Sequence, residues 1–139
     1  NLDFAQTFLD IAGVKSPADM QGTSLVPLFK GHTPNDWRTH FYYHYYEFPG
    51  AHSVARHYGV TNGRHKLIHF YQKNEWELFD LKKDPNELQS VYGNSDYKTI
   101  QSDLLAELKR LRVHYEVPEE DPVPPKRKRP NQPNRPKKK

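Results

Sequence analysis

The chain has no cysteine and a single methionine. Without thiols it can build neither a disulfide framework nor a thiolate metal site, and it has no cysteine nucleophile. The redox compartment stays open, because exported proteins also do without disulfides. No run of eighteen or more apolar residues occurs, so no transmembrane helix is expected, and no signal peptide is legible at the amino end. His-Glu-x-x-His is missing too. His40 and His44, and likewise His65 and His69, stand four apart but fall in expected strands. There the spacing separates two rings by roughly 13 Å at about 3.3 Å per residue, so an intrinsic zinc site is not expected. Acid is missing from one end: residues 126–139 carry eight Lys or Arg and no Asp or Glu, leaving thirteen bases to face all seventeen acids in residues 1–125. The net charge of +4 therefore joins a mildly acidic body to a strongly basic tail.

From about Glu119 onward no apolar periodicity is left, and Pro130, Pro133 and Pro136 interrupt the basic run. Such a segment is expected to be disordered or polyproline-like. Lys126-Arg-Lys-Arg129 and Lys137-Lys-Lys139 predict non-specific, salt-sensitive attraction of residues 126–139 to polyanions, with a purely solubilising terminus as the alternative. No aromatic residue lies in the tail to stack on bases. About 115 residues remain for one domain, enough for a modest core that buries roughly two-thirds of its unfolded surface.

The body divides by pattern. Leu2, Ala5, Phe8, Leu9 and Ala12 recur at helical spacing before Gly13, which predicts an amphipathic helix whose apolar face needs another layer to cover it. Residues 24–29 predict a short helix with Pro27 in its first turn. Residues 39–47, 54–61, 64–71 and 75–81 are rich in β-branched and aromatic side chains and predict four strands. Asn62-Gly63 predicts a tight type I′ hairpin, residues 72–74 a second hairpin loop, and Asp84 a turn in which its side chain bonds forward to the backbone. Asn94-Ser95-Asp96 offers caps for a helix over 97–113, with Ile100, Leu104, Leu108 and Leu111 as its stripe and Leu105 widening it. The expected fold is α+β: a small four-stranded antiparallel sheet packed against a C-terminal helix. Trp76, Leu78 and Phe79 are expected in its core.

Phe41-Tyr-Tyr-His-Tyr-Tyr-Glu-Phe-Pro-Gly50 is the densest block of polar aromatics. Alternation places Tyr42, His44 and Tyr46 on one face and Phe41, Tyr43, Tyr45 and Glu47 on the other. Imidazole tolerates a wet rim better than a dry core, so the even face is expected to turn away from the helix.

Taken in order, Met20-Gln-Gly-Thr-Ser-Leu-Val-Pro-Leu-Phe-Lys-Gly31, the aromatic block, Arg64-His-Lys-Leu-Ile68 and Trp76-Glu-Leu-Phe-Asp-Leu-Lys-Lys-Asp-Pro-Asn-Glu87 resemble the C-terminal part of the formylglycine-dependent sulfatases. The branch is the one with an N-sulphoglucosamine sulphohydrolase-type C-terminal region. The resemblance implies the C-terminal subdomain of an alkaline phosphatase-like sulfatase fold. In it, residues 1–31 end the catalytic domain and connect onward, 32–117 form the subdomain and 118–139 are the tail. It also implies a sulfuric ester hydrolase acting on glycans, exported to a periplasmic or extracellular space. The chain opens on Asn1 without methionine, which fits a piece cut from a longer enzyme.

Such enzymes make formylglycine from Cys-x-Pro-x-Arg or Ser-x-Pro-x-Arg and bind one calcium through Asp and Asn oxygens. Neither motif occurs here, nor does a visible cluster of the six to eight or so oxygen ligands that calcium takes. Formylglycine and calcium are therefore expected in the missing catalytic domain, and this stretch alone is expected to be inactive. What the resemblance gives it is the rim of the sulfate-ester pocket. His44, Tyr46, Glu47, His52, Arg56 and His57 are the candidate substrate-binding residues, because imidazole, carboxylate and phenol groups offer directional bonds to sugar hydroxyls. Each could equally be an ordinary strand residue satisfied by its neighbours. A non-catalytic polyanion-binding or remnant module acting through the basic tail is the alternative function.

Overall fold

A computed structural model describes residues 2–121. Helix α1 (Phe4–Ile11) and the short α2 (Val26–Phe29) precede strands β1 (Phe41–Tyr45), β2 (His57–Thr61), β3 (His65–Phe70) and β4 (Glu75–Asp80), and α3 (Lys98–His114) closes the described chain. The strands form one antiparallel sheet in the order β1-β2-β3-β4. Each neighbour in sequence is a neighbour in space, with tight hairpin loops after β2 and β3 and the longer connection 46–56 between β1 and β2.

Between β2 and β3, Gly63 takes a positive φ of 85° while Asn62 does not, so the type I′ turn expected for Asn62-Gly63 is not formed. Asn62 instead pairs with His65, and its side-chain oxygen accepts from the Arg64 and His65 amides at 3.0 and 2.7 Å. The asparagine side chain replaces the backbone as turn acceptor, which moves the two-residue loop one position on. The loop after β3 follows expectation, with Asn74 at φ 55°. Asp84 accepts from the Leu88 and Gln89 amides. Asn94 accepts from the Asp96 amide and starts a 3-10 turn, Ser95–Tyr97, that runs into α3.

Register sets two cross-strand rows on the face that α3 covers. Tyr42, Val60, Leu67 and Leu78 make an apolar row, while His44, Tyr58, His69 and Trp76 make a polar-aromatic one. Val60, Leu67 and Leu78 have no exposed surface and pack with Leu104, Leu108 and Leu111 of α3, with Tyr42 and Trp76 alongside. Phe79 is also buried, on the opposite face. The even face of β1 therefore meets the helix, contrary to expectation. Hydrophobicity favours the Tyr42-to-Leu78 row under α3, and strand alternation forces His44 onto the same side.

In α1 the buried residues are polar. Thr7 donates to the Asp3 carbonyl at 2.7 Å and accepts from the Leu25 amide at 2.9 Å. With its amide assigned so that nitrogen faces the Leu2 carbonyl, the Gln6 side chain donates to that carbonyl at 3.0 Å and accepts from the Gly22 amide at 2.9 Å. These bonds tie residues 22–25 to the helix, and the apolar face is left open, with Phe8 and Ile11 each 67% exposed. Among the described residues no helix is long and apolar enough to cross a membrane.

Candidate functional site

The six sequence candidates do not converge on one point. His44, Tyr46 and Arg56 gather at the β1–β2 edge on the α3 side, where the Tyr46 ring stacks on His44 at 3.7 Å. Glu47 and His52 stand exposed on the connection between β1 and β2. His57, opposite Tyr45 in the register, lies on the other face. Its Nδ1 donates to the Ala55 carbonyl at 2.8 Å. The ring stacks on Tyr45 and leans on Tyr43 and Phe70. Tyr43 and Tyr45 on that face have buried hydroxyls without a partner among the described residues.

Two residues that sequence reasoning missed complete the first group. Tyr71, just past β3, donates to both carboxylate oxygens of Asp121 at 2.8 and 2.9 Å. Arg56 donates to Asp121 at 2.8 Å and to the Phe48 carbonyl at 2.9 Å. Alternation along β3 could have placed Tyr71 beside His69. Nothing local marks Asp121, whose partners stand 50 and 65 residues away. Because the Tyr71 proton goes to a carboxylate, its oxygen is left to accept from His44 Nε2 at 3.4 Å, and His44 Nδ1 then accepts from the Tyr42 hydroxyl at 3.1 Å. This assigns the Nε2–H tautomer to His44.

Burial pushes the His44 pKa down from 6.5 to about 4, with Arg112 and His57 adding to the effect and Asp121 opposing it. His65 and His69 are lowered by burial as well, Asp80 opposing at His65 and Asn74 at His69. Asp121 is held low because the Tyr71 and Arg56 bonds outweigh the burial that would raise it. A histidine with a depressed folded pKa refuses a proton that the unfolded chain accepts, so stability falls as pH drops below the unfolded value. Thermal unfolding at stepped pH is therefore expected to show a midpoint that declines from pH 6.5 toward 4, and His44→Gln should flatten part of that slope. A midpoint that is level or rises over this window would contradict it.

Across the polar-aromatic row, Trp76 stacks on His69 at 3.8 Å, His69 bonds the Tyr58 hydroxyl at 2.8 Å, and the Arg112 guanidinium lies 4.2 Å over the Tyr58 ring. A cleft of about 390 Å³ opens beside this row, with Trp76, Tyr58, Lys109, Arg112 and Glu119 in its lining. The described residues contain no group of three or more His, Asp or Glu side chains able to hold a metal ion.

Comparison with known proteins places this arrangement. A family model described as N-sulphoglucosamine sulphohydrolase, C-terminal, matches residues 1–114. An N-acetylglucosamine-6-O-sulfatase from Bacteroides thetaiotaomicron is 49% identical over 118 residues, covering 83% of this chain and 21% of that protein. A Delta 4,5-hexuronate-2-O-sulfatase from the same organism is 32% identical over 82% of this chain and 23% of its own length. A solved structure of a protein in complex with its substrate D-glucosamine-2-N,6-O-disulfate superposes with a TM-score of 0.80 at 47% identity, over 84% of this chain and 24% of that one. The chain thus spans about a fifth of the length of these curated relatives.

Proposed function

Because the chain belongs to the family of N-sulphoglucosamine sulphohydrolase C-terminal regions, we propose that it is the C-terminal part of an exported sulfatase that hydrolyses a sulfate ester on a glucosamine-containing glycan. Within that enzyme, residues 1–31 continue the catalytic domain, 32–117 form the subdomain and 118–139 the tail. The 49% identity to an N-acetylglucosamine-6-O-sulfatase is the observation that carries the substrate class. Formylglycine and calcium are assigned to the part of the enzyme outside this chain, a reading supported by the lack of Cys-x-Pro-x-Arg and Ser-x-Pro-x-Arg in the sequence and of a metal-holding group of His, Asp or Glu among the described residues.

The contribution of these residues is recognition and shielding. In this reading Glu47 and His52, exposed on the connection, and His57, on the face away from α3, meet the hydroxyls of the bound sugar. His44, Tyr46 and Arg56 hold the base of the same connection, Arg56 through the Phe48 carbonyl. Positioning by such groups accelerates the reaction by fixing the ester against the nucleophile. The full-length protein is expected to release sulfate from 6-O-sulfated N-acetylglucosamine faster than from a 2-O-sulfated unsaturated uronide. No release from either would end the sulfatase reading, and the reverse preference would end the choice of sugar. Polyanion attraction by residues 126–139 falls on residues outside those described.

A further inference from the structure

Arg56, Tyr71 and His44 come from three different strand regions and turn toward one point at the sheet edge. Arg56 Nη1 and the Tyr71 hydroxyl each reach the Asp121 carboxylate at 2.8 Å, and His44 Nε2 stands 3.8 Å from it. That carboxylate comes from outside the sheet, at the end of residues 118–121, which have no regular structure. Within those four residues Asp121 alone makes hydrogen bonds to the rest of the described chain.

The donors do not depend on Asp121 for their placement. Arg56 is held by the Phe48 carbonyl, Tyr71 by stacking on Tyr58, and His44 by Tyr42 and by the Tyr46 ring. Arg56 Nε is buried without a partner among the described residues, so the guanidinium is not saturated. Both partners stay in touch with water: the Arg56 and Asp121 side chains are 18% and 21% exposed.

We propose that Arg56 and Tyr71, the latter oriented by His44, form an oxyanion-binding site whose occupant in this structure is the chain's own Asp121 carboxylate, and that it takes an anionic group of an acidic glycan, sulfate or carboxylate, when residues 118–121 lift away. The glycan rests on the sulfatase reading, whereas the anion site rests on geometry alone. One guanidinium N–H, the other Nη being held by the Phe48 carbonyl, and a phenol beside it can donate charge-assisted bonds to either oxyanion. Glu119, on the segment that lifts, lines the cleft floored by Tyr58 and Trp76. Lifting would thus join the anion site to aromatic faces that suit a sugar ring.

The test uses the full-length protein and its Asp121→Ala and Arg56→Ala/Asp121→Ala variants, titrated with sodium sulfate or sodium acetate at ionic strength matched with sodium chloride. Binding is read by calorimetry and by thermal midpoint. Wild type supplies the baseline for sulfate held elsewhere. Asp121→Ala is expected to show an added saturable site with half-saturation at least tenfold below any in wild type, and the double variant is expected to lose it. Acetate binding more tightly than sulfate would identify a carboxylate ligand, and a response to sulfate alone would identify a sulfate group. No added site in Asp121→Ala, or the same gain in the double variant, overturns the proposal. Should Asp121→Ala not fold, Asp121→Asn, which removes the charge and keeps the shape, carries the same comparison. No turnover is needed, so an inert enzyme with an Arg56-dependent site would sink the sulfatase reading and leave the anion site standing.

Discussion

His57→Ala in the full-length protein is expected to lower kcat/KM toward a 6-O-sulfated glucosamine by roughly ten- to a hundredfold, most of it through KM. The size corresponds to one lost hydrogen bond between a recognition group and its ligand, about 1.4 to 2.8 kcal/mol. His57 rather than a neighbour is chosen because its ring is already oriented. Nδ1 is committed to the Ala55 carbonyl and the ring is stacked on Tyr45, which leaves Nε2 to meet a ligand on the face away from α3. Loss carried by KM is the signature of binding made equally in ground and transition states. His65→Gln serves as control. It lies at the other end of β3, buried beside Asp80, so it should change stability while kcat/KM per folded molecule and the preference among sulfated sugars stay as they were. Unchanged discrimination in His57→Ala would remove His57 from the recognition set.

Leu67→Ala is expected to destabilise the protein by about 2 to 5 kcal/mol, measured as a shift in the urea unfolding midpoint. Leu67 is fully buried in the second-to-last place of the apolar row, with Val60 and Leu78 on either side and α3 above. Truncation leaves a cavity that the two neighbouring strands, β2 and β4, cannot close without breaking register. Leu105→Ala, on the half-buried margin of α3, should cost clearly less. Equal effects at the two positions would mean that the helix does not seal this face as described.

Strands and helices were legible because each is a local pattern. The alternation of Val60 and the long aromatics, and the 104-108-111 spacing, mark elements and core residues without reference to anything distant. The β2–β3 turn was legible as a turn but not in type, since Asn62 has two ways to serve it: its own positive φ, or its side-chain oxygen as acceptor. The second was taken. Of the candidate site, the residue types were legible and their grouping was not. His44 and His57 look alike in sequence, yet pairing Tyr45 with His57 puts them on opposite faces.

Alternation and composition by themselves determined that a four-stranded sheet with one long helix would form, which residues share each strand face, and that no thiol chemistry resides in this chain. Only the tertiary structure decided which face the helix covers, because that choice depends on the apolar content of a row assembled from four strands. It also decided the partnership of Asp121 with Arg56 and Tyr71, because a charge finds its partner by proximity in space, and chain separations of 65 and 50 residues carry no local trace of it.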